Sequence, residues 1–323
     1  MIIDKSNELP GSLRGDDNNY TGYRRIGIRL TEPFDQLLVN SRNSVDSVNE
    51  FSKGLHWFDK AHAVMLIEEK IIPKNDAKDC LLALKELSNN GIENLIDTSS
   101  GGKHSGEAFL IQKLGMDIGG LIHAGRSTWD LGLVSHRVKL RSVVLDLMDY
   151  LNYYRKILLN KASEYTDDVM PYYTHGQQAQ PTTLAHHLHA FVAAAERDWL
   201  RLDGVYQRID ISAAGVAAGT ASRFPVNRNR VAELMGFNSV STNTRDSGYN
   251  YDHLWEMGAS LGIIMENLNF LCEELILWMG NEYGMIQLAD RYCSTSSIMT
   301  QKRNPTAAEH VQAISKRITG RVP

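Results

Sequence analysis

The sequence LWEMGASLGIIMENLNFLCEELILW, residues 254–278, decides the fold class of this protein. Its apolar side chains recur in steps of three and four residues without a miss, which is the spacing of one face of an α-helix. At about 1.5 Å per residue, this helix is roughly 36 Å long. A stripe this regular predicts packing against other long helices in a bundle. The stripe consists of Leu254, Met257, Leu261, Ile264, Leu268, Leu271, Leu275 and Trp278.

Two further long helices are predicted upstream of this one. Apolar side chains follow helical spacing over residues 133–158 and again over residues 184–209. Shorter helices are expected within residues 32–91, and a cluster of glycines and serines predicts a loop at residues 97–106. The chain has only 8 prolines among 323 residues, and proline disfavours helix interiors. These features predict an all-α fold with a long central helical bundle.

The length of the chain allows two domains. Residues 1–118 are predicted to form an N-terminal helical domain, whose first 30 residues are a polar, flexible arm. Residues 119–323 are predicted to form the central domain of bundled long helices. Because a monomer of this size does not fully bury such apolar stripes by itself, we expect several subunits to share one core.

Composition excludes several classes of function. The formal net charge is −4 and the pI is near 6.3, so the chain has no overall basic field for nucleic acid. No apolar run reaches the roughly 18 residues of a membrane span, and residues 1–7 do not read as a signal peptide. Cys80, Cys272 and Cys293 are scattered, which indicates reduced thiols rather than disulfides or zinc ligands. We therefore expect a cytoplasmic protein that binds neither nucleic acid nor a membrane.

The first polar segment between the predicted helices is HAGRSTWD, residues 123–130. Its glycine lets the backbone approach a ligand closely, and Arg126 offers a planar fork for a carboxylate. Ser127 and Thr128 supply small hydrogen-bond donors. The alternative interpretation is structural, because Ser127 or Thr128 could cap the helix that begins near Asp130.

The second polar segment is YTHGQQAQP, residues 173–181, directly before a long apolar helix. The N-terminal amides of that helix favour anions, so His175 is a candidate for chemistry as well as for a structural role. Downstream, His186, His187 and His189 give the H-x-x-H spacing of metal ligands on one helix face, but no carboxylate or third ligand accompanies them nearby in the sequence. We therefore expect neither a metal ion nor a cofactor.

The third polar segment is TSSIMTQKRNP, residues 295–305. Ser296 and Ser297 precede Lys302 in a run of small and polar residues that ends in Asn-Pro. One interpretation is a mobile loop that folds over an anionic substrate. The other is a solvated basic loop without a function.

The three segments, in this order and separated by long helices, resemble the argininosuccinate lyase branch of the aspartase/fumarase superfamily. The resemblance runs from about Arg29 to the end of the chain. The signature loop G-S-S-x-M-P-x-K-x-N is matched by Ser296, Ser297, Met299, Lys302 and Asn304. The motif T-H-x-Q-x-A-Q-P is matched by Thr174, His175, Gln177, Ala179, Gln180 and Pro181. The motif H-T-G-R-S-R-N-D is matched by His123, Gly125, Arg126, Ser127 and Asp130.

This resemblance implies an anti β-elimination that breaks a C–N bond of a small dicarboxylate and releases fumarate. It also implies a homotetramer in which three subunits contribute to each active site. Ser296 is then the general base, Lys302 stabilises negative charge, and His175 is polarised by Glu309 and acts on the leaving nitrogen. The implied substrate-binding residues are Arg126, Ser127, Thr128, Trp129, Thr174, Gln177, Ser297 and Asn304.

The chain also departs from the family pattern. Thr128 and Trp129 replace an arginine and an asparagine, while Thr295 and Thr300 replace a glycine and a proline of the signature loop. Because an indole has one donor where an amide has two donors and an acceptor, we expect Trp129 to select an amine other than that of argininosuccinate. The alternative is that Trp129 turns away and packs on Leu133.

Two other functions stay open at this point. One is an authentic argininosuccinate lyase that tolerates these substitutions, and the other is a weakly active or inactive structural homologue. The sequence ends at Pro323, whereas members of the family continue considerably further. The central domain is therefore expected to be incomplete and to lack the C-terminal domain of the family.

Overall fold

A computed structural model describes residues 46–91 and 105–322. The expected N-terminal arm, any helix within residues 32–45 and most of the loop expected at residues 97–106 lie outside the described residues. By their internal contacts, the described residues divide into two compact units. The first unit contains residues 46–91, 105–150 and 200–256, and the second unit contains residues 151–199 and 257–322.

Most of the described chain is helical. The α-helices are α1 (Asp46–Glu68), α2 (Lys74–Asn90), α3 (Ser105–Leu114), α4 (Met116–Gly119), α5 (Thr128–Ser163), α6 (Leu184–Ile209), α7 (Arg228–Leu234), α8 (Thr244–Tyr249), α9 (Asp252–Met279) and α10 (Thr306–Thr319). Short 3₁₀ helices occupy Gly120–His123 and Asp290–Tyr292. The strands are β1 (Val169–Thr174), β2 (Gln177–Thr183), β3 (Ile211–Ser212), β4 (Ser239–Val240), β5 (Ser294–Thr295) and β6 (Arg303–Asn304).

The three predicted long helices are confirmed. Helices α5, α6 and α9 contain 36, 26 and 28 residues. The apolar stripe of residues 254–278 lies entirely within α9, which is about 42 Å long at 1.5 Å per residue. The all-α, long-helix fold class is therefore correct.

Three two-stranded ribbons were not predicted. Strands β1 and β2 pair antiparallel, β3 and β4 pair parallel, and β5 and β6 pair antiparallel. Two of these ribbons, β1–β2 and β5–β6, overlap the second and third polar segments of the sequence. Strand β1 has the sequence VMPYYT, whose β-branched and aromatic residues favour extended backbone. Such short ribbons carry too few alternations to produce a clear period in the sequence.

Two apolar clusters surround α1 in the first unit. One joins α1 to the start of α5 and to α7 and contains Leu55, Phe58, Leu66, Leu131, Val134 and Val231, among others. The other joins α1 to α2 and α3 and contains Ala63, Cys80, Leu84, Leu87, Leu110 and Ile122. Helix α1 is therefore buried on two sides, which fixes the position of the chain that leads into α5.

The core of the second unit is a seam between the three long helices. Leu158 and Ala162 of α5 pack with Leu188 and Val192 of α6 and with Leu271 of α9. Leu158, Leu188 and Leu271 are members of the stripes that predicted a bundle, so the predicted packing of long helix on long helix is confirmed within this unit.

The two units do not follow the order of the chain. Both contain parts of α5, α6 and α9, because each of these helices begins in one unit and ends in the other. The division therefore differs from the consecutive domains 1–118 and 119–323, which stay a prediction. Within the described part of the chain, none of the helices has both the length and the apolar content that crossing a bilayer requires.

The buried imidazole of His62 makes the stability of the first unit depend on pH. Its Nε2 donates to the carbonyl oxygen of Ala124 at 2.8 Å, and the residue is 2% exposed. Burial, helped by the charge of Arg126, lowers the pKa of His62 from 6.5 to about 3. Between these two pH values the unfolded chain binds a proton that the folded chain does not.

We therefore expect the free energy of unfolding to fall as the pH drops below about 6.5, with His62 contributing about 1.4 kcal/mol per pH unit. Urea unfolding between pH 7 and pH 5 measures this slope. His62→Gln should lower the slope of the unfolding free energy against pH by about 1.4 kcal/mol per pH unit, because the variant lacks the group that titrates. His186→Gln, at an exposed position, is the matched control and should keep the slope of the wild type. An unchanged slope in His62→Gln would contradict the assignment.

Candidate active site

The signature loop is a short hairpin in the second unit. Ser294 pairs with Asn304 and Thr295 pairs with Arg303, so β5 and β6 close the loop of residues 296–302 at its base. The Ser294 and Thr306 hydroxyl oxygens lie 2.5 Å apart, which ties the hairpin to the first residue of α10. Both ends of the loop are therefore held in place, by the strand pairing and by the contact with α10.

Ser296 is the first residue after β5 and is half-buried. Its Oγ accepts hydrogen bonds from the backbone N–H of Ile298 at 3.3 Å and of Met299 at 3.2 Å. Two N–H dipoles that point at one oxygen favour negative charge on that oxygen. The loop thus supplies the polar environment that a serine needs before it accepts a proton from carbon.

The base of this hairpin is held by an ion pair. Nη2 of Arg303 lies 2.5 Å from Oδ1 of Asp290, and the same guanidinium donates to the carbonyl oxygen of Leu288. Next to Ser294, Cys293 is buried, and burial raises the pKa of its thiol. Arg303 is therefore engaged in holding the hairpin, whereas Lys302 beside it is exposed.

A cleft of about 810 Å³ lies beside the signature loop in the second unit. Lys302 and its two neighbours form one side, and the loop that follows α9 forms another. The lining residues are Tyr165, Leu184, Met279, Gly280, Asn281, Gly284, Met285, Ile286, Gln287, Gln301, Lys302 and Arg303. Of the predicted site residues, Lys302 lines this cleft.

The second motif forms the tip of the β1–β2 hairpin. Thr174 pairs with Gln177, and only His175 and Gly176 connect the strands. Their φ angles are +53° and +70°, as a two-residue type I′ turn requires. Glycine adopts such angles without strain, and histidine tolerates them better than most residues. The structure therefore brings Thr174, His175 and Gln177 together at an exposed tip.

The hairpin is anchored below its tip. The ring of Tyr173 meets the ring of Tyr283 edge-on, with the centroids 5.8 Å apart. Glu309, the expected partner of His175, lies exposed in the first turn of α10. The pairing of His175 with Glu309 stays a prediction.

The first motif begins α5 in the first unit. The backbone N–H of Trp129 donates to Oγ of Ser127 at 3.2 Å, and the N–H of Ser127 donates to Oδ2 of Asp130 at 2.8 Å. This reciprocal pair is a capping box, so the structural interpretation of Ser127 as a helix cap is confirmed. Thr128 is the first helical residue and is exposed.

Asp130 does more than the sequence predicted. It is fully buried, and its Oδ1 also accepts the backbone N–H of Val216 at 2.8 Å and of Ala217 at 3.2 Å. Burial raises the pKa of Asp130 despite these amides. The carboxylate thus joins the start of α5 to the loop after β3. The pattern S-x-x-D was the signal in the sequence.

Arg126 points inward rather than into solvent. Its Nη1 donates to Oδ1 of Asp59 at 2.6 Å, and the two side chains are 1% and 3% exposed. The carboxylate that Arg126 binds within the described residues is therefore internal, and its expected contact with a substrate stays a prediction. Asp59 was missed, although a carboxylate beside Leu55, Phe58 and His62 on an apolar helix face was a visible signal.

Trp129 packs on α8. Its Nε1 donates to the carbonyl oxygen of Gly248 at 3.0 Å, and its ring lies 6.4 Å from that of Tyr249. The indole remains 40% exposed. The N–H of the indole is therefore already used inside the chain, while part of Trp129 faces solvent.

Two of the histidines near the start of α6 have structural partners. Nε2 of His187 lies 2.6 Å from Oε2 of Glu274, and Nδ1 of His186 lies 2.9 Å from Oγ1 of Thr182. Across residues 46–91 and 105–322, no three His, Cys, Asp or Glu side chains converge as metal ligands would.

The seam of three long helices, the capped start of α5, the His175 hairpin and the serine loop together define a protein of the aspartase/fumarase class. Comparison with known sequences agrees with this class. The family described as Lyase matches residues 34–320. The chain belongs to this family and is an argininosuccinate lyase-like member of the aspartase/fumarase superfamily.

Curated relatives support this placement. The chain is 43% identical over 264 residues to an argininosuccinate lyase of Methanocaldococcus jannaschii, covering 81% of the chain and 54% of the relative. It is 40% identical over 294 residues to an argininosuccinate lyase of Methanocorpusculum labreanum, covering 90% of the chain and 60% of the relative. The chain thus spans little more than half the length of these relatives.

Solved structures show the same architecture. An EDDS lyase in complex with formate aligns with a TM-score of 0.81 and 29% identity, covering 89% of this chain and 57% of that chain. A class II fumarase from Schistosoma mansoni aligns with a TM-score of 0.70 at 15% identity, covering 88% of this chain and 69% of that chain. The fumarase is evidence for the fold alone.

Proposed function

We propose that this protein is a carbon–nitrogen lyase that cleaves an N-(1,2-dicarboxyethyl) compound into fumarate and an amine. The observation that carries the proposal is Ser296, whose Oγ accepts two backbone N–H groups at the start of the signature loop. The serine oxygen takes a proton from the carbon next to a carboxylate. The C=C bond of fumarate then forms as the C–N bond breaks, and the nitrogen leaves with the electron pair of that bond.

The remaining roles follow from the charges that develop in this reaction. Removing the proton places a second negative charge on the adjacent carboxylate, and Lys302 with Asn304 stabilises it. His175, polarised by Glu309, delivers a proton to the leaving nitrogen. Ser127, Thr128, Thr174, Gln177 and Ser297 bind the substrate carboxylates.

The proposed assembly is a homotetramer with shared active sites. Apolar side chains remain exposed along α5, α6 and α9, and a partner helix would cover them. They include Leu145, Ile157, Leu159, Leu200, Leu254, Ile263, Phe270 and Leu277. Sedimentation equilibrium at micromolar concentration should give the mass of a tetramer, and a stable monomer would count heavily against this assembly.

Argininosuccinate is the first substrate to test, because the curated relatives carry its name. A different amine is the second candidate, favoured by the geometry of Trp129. The family has an asparagine there, whereas the only polar group of this indole is engaged with Gly248. A substrate group that needs a donor at this position loses about 1–3 kcal/mol of binding energy.

The release of fumarate from a panel of N-(1,2-dicarboxyethyl) amines, followed by its ultraviolet absorbance, tests both candidates. A kcat/KM for argininosuccinate of about 10⁴ M⁻¹s⁻¹ or higher assigns the first candidate. A much lower value, together with efficient cleavage of another member, assigns the second. If no member of the panel yields fumarate, the proposed lyase activity is wrong.

A further inference from the structure

Two aromatic rings stand exposed side by side at the start of α5. Trp129 is 40% exposed and Tyr249, the last residue of α8, is 69% exposed. Their ring centroids are 6.4 Å apart, with an angle of 47° between the planes. We call Trp129 and Tyr249 the aromatic pair. Both residues belong to the first unit.

Hydrogen bonds hold the aromatic pair in its position. The indole N–H donates to the carbonyl oxygen of Gly248, and a Cβ at position 248 would lie only 3.1 Å from the indole nitrogen. Helix α8 is in turn attached to the loop after β3, because Oγ1 of Thr244 donates to the carbonyl oxygen of Gly219 at 2.9 Å. A ligand that stacks on these rings therefore needs little further ordering of the protein.

The aromatic pair adjoins the proposed substrate-binding residues. Trp129 directly follows Ser127 and Thr128, to which the proposed function assigns a substrate carboxylate. A dicarboxyethyl group bound there carries its amine substituent on the adjacent carbon. This substituent is the part of the substrate that differs between lyases of this class, so the rings are placed to contact the group that sets specificity.

The charge beside the pair indicates which substituent fits. The guanidinium carbon of Arg245 lies 5.8 Å from the centroid of the Tyr249 ring. Arg245, a side chain of the same helix, thus already supplies the cation that the Tyr249 ring attracts. A second guanidinium on the ring would meet a like charge, whereas an uncharged planar group would gain apolar contact without this repulsion.

From these observations we infer that Trp129 and Tyr249 select a substrate whose leaving amine carries an uncharged aromatic group in preference to a guanidinium. The inference rests on the proposed lyase function and assigns Tyr249 as a specificity-determining residue. Gly248 supports this role, because a Cβ at this position would lie 3.1 Å from the indole nitrogen and would require the ring to shift by a few tenths of an ångström.

Two substrates with planar substituents of different charge test this preference. N-(1,2-dicarboxyethyl)aniline carries an uncharged ring at neutral pH, and N-(1,2-dicarboxyethyl)guanidine carries a planar cation. The quantity to measure is the ratio of their kcat/KM values. A general loss of activity or of folded protein leaves this ratio unchanged, because both substrates are measured on the same preparation.

We expect the wild-type protein to favour the aniline substrate by at least about tenfold. Tyr249→Ala should reduce the ratio about tenfold, and Arg245→Gln should lower it by improving the guanidine substrate. Tyr150→Ala removes an exposed tyrosine of α5 away from the pair and should leave the ratio unchanged.

A wild-type preference for the guanidine substrate, or an unchanged ratio in Tyr249→Ala, would overturn the inference while the lyase function stands. If the protein cleaved argininosuccinate but neither test substrate, the inference would likewise be overturned and the lyase function would stand. If argininosuccinate and both test substrates all fail to yield fumarate, the proposed function itself is wrong and the inference falls with it.

Discussion

Ser296→Ala is expected to lower kcat for fumarate release by more than about 10²-fold, the lower range for a positioned acid–base group. The substitution removes the proton acceptor of the first step and leaves the loop backbone in place. The hydroxyl accepts two hydrogen bonds longer than 3.1 Å on an exposed loop, so its loss should change the free energy of unfolding by less than about 1 kcal/mol. The measurement is steady-state kinetics on the variant, with urea unfolding alongside.

The matched control for this substitution is Thr300→Ala, which removes a hydroxyl from an exposed position of the same loop. We expect it to retain activity within a few-fold of the wild type, because the proposed mechanism does not use this group. A rate near that of the wild type in Ser296→Ala would show that another group is the base. Equal losses in the two variants would indicate a disturbed loop rather than a lost base.

Asp59→Ala is expected to cost about 3–5 kcal/mol of the free energy of unfolding, the largest effect on stability that we predict. The substitution leaves the guanidinium of Arg126 buried without its carboxylate. Within the described residues, Nε and Nη2 of Arg126 are buried without a hydrogen-bond partner, so the charge depends on Asp59 for compensation. Urea unfolding at pH 7 measures the loss.

A second substitution separates the loss of charge compensation from the loss of packing. Combining Asp59→Ala with Arg126→Met removes the unpaired charge, and most of the lost stability should return. The control is Glu164→Ala, which breaks the exposed pair with Lys161 at 2.6 Å and should cost less than about 1 kcal/mol. If Asp59→Ala lowered the free energy of unfolding no more than Glu164→Ala does, the buried Arg126–Asp59 pair would not stabilise the fold as we expect.

The features predicted correctly are those that repeat locally. Each residue of the stripe over 254–278 adds evidence for the same helix, and α9 contains the entire stripe. The helix cap at Ser127 was also visible, because its partner Asp130 lies only three residues further on. Short-range periodicity and capping depend on neighbours within one or two turns, which the sequence contains directly.

The features that were missed depend on distant residues. The partner of Arg126 is Asp59, 67 positions earlier, and the partner of the Trp129 indole is Gly248, 119 positions later. Nothing near Arg126 in the sequence distinguishes a guanidinium that binds substrate from one that binds a buried carboxylate. The His175 hairpin was missed for another reason. Its strands β1 and β2 contain only six and seven residues, which is too few for a clear alternation of apolar and polar side chains.

The sequence by itself determined the class of this protein, because long apolar stripes and three ordered polar motifs are linear patterns. The tertiary structure decided how the first motif is placed: Arg126 turned inward to Asp59, and Trp129 came to lie beside Tyr249. The physical reason is that burial and side-chain pairing are set by contacts between distant segments. The sequence specifies which chemical groups are present, but their burial, charges and hydrogen-bond partners are established only when the chain folds.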